Sequence, residues 1–119
     1  MKKTLVFGAS SNPSRYSNLA IHRLVQNKIE AVGFGLRPGT VNGVEIVDTL
    51  DDFDDIDTIT LYLNPQRQKE YYQSILNLNP RRVIFNPGTE NPEFQNLLKE
   101  SNIEVEVACT LVMLATGQY

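Results

Sequence analysis

The amino-acid sequence predicts an α/β fold, an open and mostly parallel twisted sheet with helices on both faces, built as a single domain. Three observations carry that expectation. Short β-branched and apolar runs alternate with segments of helical periodicity, the order that βαβ units require. The 119 residues amount to about one domain. The first apolar run ends in a glycine-led loop, VFGASSNPSRYSN over residues 6–18, which opens into an amphipathic helix.

Residues 4–7, TLVF, read as a strand buried on both faces of a parallel sheet. Over 17–28, Leu19, Ala20, Ile21, Leu24 and Val25 recur at helical spacing, with His22, Arg23, Gln26 and Asn27 on the other side. Residues 30–35, EAVGFG, read as a second strand and 43–49, GVEIVDT, as a short third. Two further inner strands are predicted at 57–63, DTITLYL, and 82–86, RVIFN. A helix between them begins at Pro65, a good first-turn residue, and runs to 77. The segment 91–101 opens with Asn91 as N-cap and Pro92 behind it, then sets Phe94, Leu97 and Leu98 on one face. A last strand at 103–108, IEVEVA, leads into the apolar tail TLVMLATGQY, which is expected to add a helical turn or two. Sheets of this kind bind ligands beyond the carboxyl ends of their strands, where the strand order reverses, and the loop 8–16 belongs at that point.

With 41% hydrophobic and 21% charged residues the composition is that of an ordinary globular protein. A net charge of −3 leaves no basic surplus for a nucleic acid, so none is expected as a partner. The apolar run behind Lys2 and Lys3 stops at Phe7, short of a secretory signal, and no segment nears the roughly 20 apolar residues of a membrane helix. One cysteine, Cys109, leaves no internal disulfide and fits a reducing compartment. A cytoplasmic protein without a membrane partner is the expectation.

Gly8 suits a sharp turn and the close approach of a ligand, and the helix behind it offers unpaired N–H groups and a positive dipole end. Phosphate is the natural occupant. Ser10, Ser11 and Asn12 add side-chain donors, and Arg15 adds a charge-assisted bond. The plainer reading is a turn, a capped helix and a solvated arginine. A dinucleotide site would carry G-x-G-x-x-G and, about 20 residues on, an acidic residue for a ribose diol. Here the loop is G-A-S-S-N-P, and the second strand ends in Phe34-Gly35-Leu36-Arg37. Arg37 suits a nucleotide with an extra ribose phosphate, as in coenzyme A and NADP.

VFGASSNPSRYSN, followed by NGVEIVDTLDDFDDID, NPGTENPEF and a late cysteine in VACT, resembles the small stand-alone CoA-binding proteins. These are similar to the CoA-binding, Rossmann-type domain of the succinyl-CoA synthetase α subunit. The resemblance covers nearly the whole chain and implies a Rossmann-like fold with a site for CoA or an acyl-CoA. It implies that Gly8, Ala9 and Ser10 wrap the diphosphate, with Asn12, Pro13, Arg15 and Tyr16 continuing the match. The basic residue after the second strand falls on Arg37, and the glycine opening the third on Gly43. Tyr62 and Pro65 fall near the path of the adenine or the pantetheine arm. The P-G-x-x-N-x-E pattern falls on Pro87, Gly88, Asn91 and Glu93. This chain departs from the family at Gly35-Leu36, where Asn-Pro is usual, and at Leu63-Asn64, where arginines are usual. Ile84 and Asn86 replace a Trp and a Gln. The second departure removes a cation from beside the nucleotide.

His22, the single histidine, has no triad-like partners, and the acidic run 48–57 lacks the spacing of a calcium loop. Cys109 is either a small buried residue or, at the carboxyl edge of the last strand, a partner for a mixed disulfide with the CoA thiol. The leading reading is non-catalytic binding of CoA or an acyl-CoA, as carrier, sensor or accessory subunit. A second copy or a partner enzyme subunit is the expected protein contact. An NADP-binding redox sensor or reductase-like domain, and an interaction module without a ligand, stand as alternatives.

Overall fold

The computed structural model describes residues 2–119. β1 (Lys3–Phe7) holds an inner place in the sheet because Leu5, Val6 and Phe7 can be buried on either face, and all three are wholly so. α1 (Tyr16–Gln26) returns the chain to β2 (Glu30–Phe34), which pairs parallel to β1. A hairpin follows, β3 (Gly39–Val41) and β4 (Val44–Val47), with β4 parallel to β2. β5 (Ile56–Leu61) crosses back to lie on the far side of β1. Next come α2 (Pro65–Gln68), a 3-10 turn (Lys69–Tyr71), α3 (Tyr72–Leu78) and β6 (Arg82–Phe85). α4 (Pro92–Glu100), β7 (Glu104–Val107) and α5 (Thr110–Ala115) complete the order.

The seven strands form one sheet in the order β3-β4-β2-β1-β5-β6-β7, parallel except for β3. The predicted α/β architecture is therefore present, and the order reverses between β1 and β5. α1 and α5 cover one face over Val6, Ile21, Leu24, Ile46 and Leu114. α2 to α4, with Leu50 and Phe53 of the β4–β5 connection, cover the other over Phe7, Ile59, Phe85, Phe94 and Leu98. Among the described residues no helix is long and apolar enough to cross a membrane.

Two elements differ from the sequence expectation. The single strand expected at 43–49 is the second arm of a hairpin, whose turn is Asn42-Gly43 with φ of 49° and 81°. Asn-Gly favours that left-handed pair, which matches the twist of the flanking strands. The helix expected over 65–77 is broken at Lys69–Tyr71. Tyr71 packs edge-on against Phe7 and Phe34, with ring centroids 5.2 and 5.4 Å away, whereas Tyr72 stacks on Phe94 at 4.3 Å. Neighbouring residues of a straight helix diverge by about 100°, and the tighter turn lets both rings reach their partners.

Candidate functional site

Where β1 ends, Gly8 adopts φ 96°, a conformation that favours glycine, and a methyl there would press on Leu63 and on the Tyr62 backbone at 3.2 Å. The amides of Gly8 and Ala9 both donate to the Phe34 carbonyl at 2.8 Å, which ties the loop to the end of β2. Gly35 continues that contact so closely that a methyl on it would collide with the Ala9 carbonyl oxygen.

The rest of the loop is held by its own side chains. Ser14 donates to Asn12 Oδ1 through its amide, 3.0 Å, and its hydroxyl, 2.8 Å. The Asn12 amide donates to Ser10 Oγ at 3.1 Å, and Asn18 Nδ2 to the Ser10 carbonyl at 3.0 Å. Asn12 therefore spends its acceptor oxygen on loop shape. α1 begins from Arg15, whose extended backbone carries no side-chain cap, and among the described residues the amides of Tyr16 and Ser17 meet no acceptor. An anion at that point would meet open N–H groups and the positive end of an 11-residue helix.

The opposite wall is α2. Asn64 caps it by accepting from the Arg67 amide at 3.0 Å, with Pro65 at the first position. Gln68 is wholly buried and donates to the carbonyls of Leu63, 2.8 Å, and Thr89, 2.9 Å. The β6 end is fixed by Asn86, whose amide nitrogen donates to Thr60 Oγ1 at 2.7 Å and to the Leu61 carbonyl at 2.8 Å. Its oxygen accepts from the Thr110 amide at 2.8 Å.

These walls enclose an open cleft of about 840 Å³ across the carboxyl ends of β2, β1, β5 and β6. The loop from Gly8 to Asn12 lines it together with Arg15 and Tyr16, and Arg37, Tyr62, Pro87 and Gly88 complete the expected set. Pro65, Asn91 and Cys109 are not part of the lining. Pro65 starts α2, and Asn91 is the N-cap of α4, where it accepts from the Phe94 amide and donates to Gln68 and Tyr72. Cys109 is half-buried just before α5. Tyr62 packs against the core on the α1 side, and its buried hydroxyl has no hydrogen-bond partner among the described residues. Burial pushes that hydroxyl up to about 12, so it stays protonated at neutral pH.

Sequence reasoning missed Arg67. It lines the cleft beside Leu63, Asn64 and Tyr71, on the first turn of the helix after β5. The available signal was a cation two residues past a helix-starting proline, next to the point where the strand order reverses. Arg15, Arg37 and Arg67 are the charged residues of the lining, which holds no carboxylate. Among the described residues none of the three has an acidic partner within 4.0 Å.

The fold and cleft define a Rossmann-like α/β domain with an anion-seeking crevice at its topological switch point. Within that class the chain belongs to the CoA-binding domain family, whose model, described as "CoA binding domain", matches residues 2–115. A crystal structure described as that of an uncharacterized protein is 46% identical, with a TM-score of 0.96, covering 100% of this chain and 98% of that one. A protein from Thermus thermophilus is 24% identical, with a TM-score of 0.87, over 99% of this chain and 90% of that one. A hypothetical protein from Pyrococcus horikoshii is also 24% identical, with a TM-score of 0.86, over 97% and 82%. The last two likenesses concern the fold. No curated protein matches the chain significantly.

Proposed function

We propose that the protein binds CoA or an acyl-CoA in this cleft as a non-catalytic carrier, sensor or accessory subunit in the cytoplasm, working with a second copy or a partner enzyme. One observation carries the reading. A chain of net charge −3 gathers three arginines, without acidic partners among the described residues, and an open helix N-terminus, in a cleft whose lining has no carboxylate. Such a cleft attracts several phosphates at once, and CoA brings a diphosphate and a ribose 3′-phosphate. NAD finds no acid at the end of β2 for its ribose, because Leu36 and Arg37 stand there. NADP shares the extra phosphate, but the loop has Ser10 and Pro13 where a dinucleotide fingerprint has its second and third glycines.

Thermal unfolding with CoA, acetyl-CoA, 3′-dephospho-CoA, NADP and NAD tests the proposal. A ligand at about 100 times its Kd stabilises the folded state by about 2.7 kcal/mol, a rise on the order of 10 °C for a domain of this size. CoA is expected to give the largest rise, reduced without the 3′-phosphate and in Arg37→Ala. A larger rise with NADP would replace the CoA reading by the redox one. No rise with any nucleotide would leave an interaction module.

A further inference from the structure

We propose that Arg67 is a specificity-determining residue that grips the ligand's diphosphate from the α2 wall, opposite Arg15 and the N-terminus of α1. The inference rests on the CoA reading and extends it, because it assigns Arg15 and Arg67 to the diphosphate and Arg37 to the ribose phosphate.

Strand order supplies the assignment. Arg37 follows β2, the loop with Arg15 follows β1, and Arg67 follows β5, so the β1 loop stands in the middle. Neighbouring strands lie about 4.8 Å apart, which separates the ends of β2 and β5 by roughly 10 Å. A diphosphate seated on the open amides of Tyr16 and Ser17 therefore lies between the other two arginines. With the ribose phosphate taken by Arg37, the anion nearest Arg67 is that diphosphate. α1 approaches from one face of the sheet and α2 from the other, so the two arginines close on it from opposite sides.

The backbone at Arg67 is fixed while its side chain is uncommitted. Asn64 caps its amide, and its neighbour Gln68 is drawn into the core by two carbonyls. Adjacent helical residues diverge by about 100°, so the inward Gln68 turns Arg67 away from the core and toward the cleft it lines. Residues three apart on a helix are also neighbours in space. Arg67 thus stands one turn from Asn64, on the cleft side of α2.

Three like charges in an empty cleft repel one another, so a ligand-binding role leaves a signature that a structural role does not. Removing Arg67 should leave the melting temperature of the free protein unchanged or slightly higher while it weakens binding. Calorimetric titration of the full chain with CoA and with 3′-dephospho-CoA tests the assignment on wild type, Arg67→Ala, Arg67→Lys and Arg37→Ala. The expected result is a loss of at least about tenfold in Arg67→Ala, equal for both ligands, with partial recovery in Arg67→Lys. Arg37→Ala should weaken CoA and leave 3′-dephospho-CoA unchanged. Binding of CoA by Arg67→Ala within twofold of wild type overturns the proposal. A loss that vanishes with 3′-dephospho-CoA also overturns it, by moving Arg67 to the ribose phosphate. Wild type that binds neither nucleotide overturns the CoA reading itself, a failure distinct from the other two.

Discussion

Gly35 illustrates how single residues set the shape of the cleft. Its backbone lies against the Ala9 carbonyl, at the point where the end of β2 meets the loop after β1. A methyl there cannot be relieved by rotating a side chain, because the atom it meets is backbone. Gly35→Ala is expected to destabilise the protein by about 3 kcal/mol, the upper end of overpacking costs, and to abolish CoA binding by displacing the loop. Urea unfolding and calorimetry check both outcomes. A variant as stable as wild type would mean that the loop yields freely, and the preformed cleft would have to be given up. Tyr62 shows the opposite case, a residue at the cleft whose ring serves the core and whose hydroxyl has no partner among the described residues.

At the level of elements, α2 joins the fold to the site. Gln68 bridges the carbonyls of Leu63 and Thr89, and its oxygen accepts from Asn91, so one side chain links the ends of β5 and β6 with the cap of α4. Gln68→Ala strands two buried carbonyls and one N–H of Asn91 Nδ2, which keeps its bond to Tyr72, and should cost about 3 kcal/mol. Because Arg67 shares its turn, CoA affinity should fall several-fold as well, although Gln68 lies behind the cleft wall. Denaturation and titration of one preparation decide it, and a cost below about 1 kcal/mol would mean that α2 is held by something else. This element also marks the limit of what the sequence reveals. Pro65 and the pair Asn91-Pro92 announce helix starts because capping is a local matter, and the glycine loop is equally local. The break at Lys69–Tyr71 follows from rings on two other elements, Phe34 and Phe94. Asn42-Gly43 favours a hairpin turn, yet 43–49 was expected as a lone strand, because β3 is only three residues long and lacks a strand's alternation. The site was legible as a position and a charge type. Arg67 was not, since its nearness to the other arginines depends on how α2 lies across the switch point.

Over the whole molecule the charges divide by place. The chain carries −3 in total, with Asp48, Asp51, Asp52, Asp54 and Asp55 exposed between β4 and β5, while the cleft presents only cations. A polyanion approaching from a distance meets a weakly repulsive surface, so steering does little for its association rate. Attraction begins inside the cleft, at arginine–phosphate distances. Screening tightens from about 10 Å at 0.1 M salt to about 3 Å at 1 M, and so reaches the cleft only at high salt. CoA affinity should therefore fall by about tenfold between 0.05 and 0.5 M sodium chloride, mainly through faster dissociation. The loss should be smaller for 3′-dephospho-CoA, which has fewer charges, and Arg37→Ala should bring the two ligands to the same salt dependence. Stopped-flow association and dissociation rates over that salt range measure each part. An affinity for CoA that ignores salt would mean that the nucleotide is held by its ring and arm against Tyr16 and Leu36, the exposed apolar side chains at the cleft, and that the arginines are bystanders.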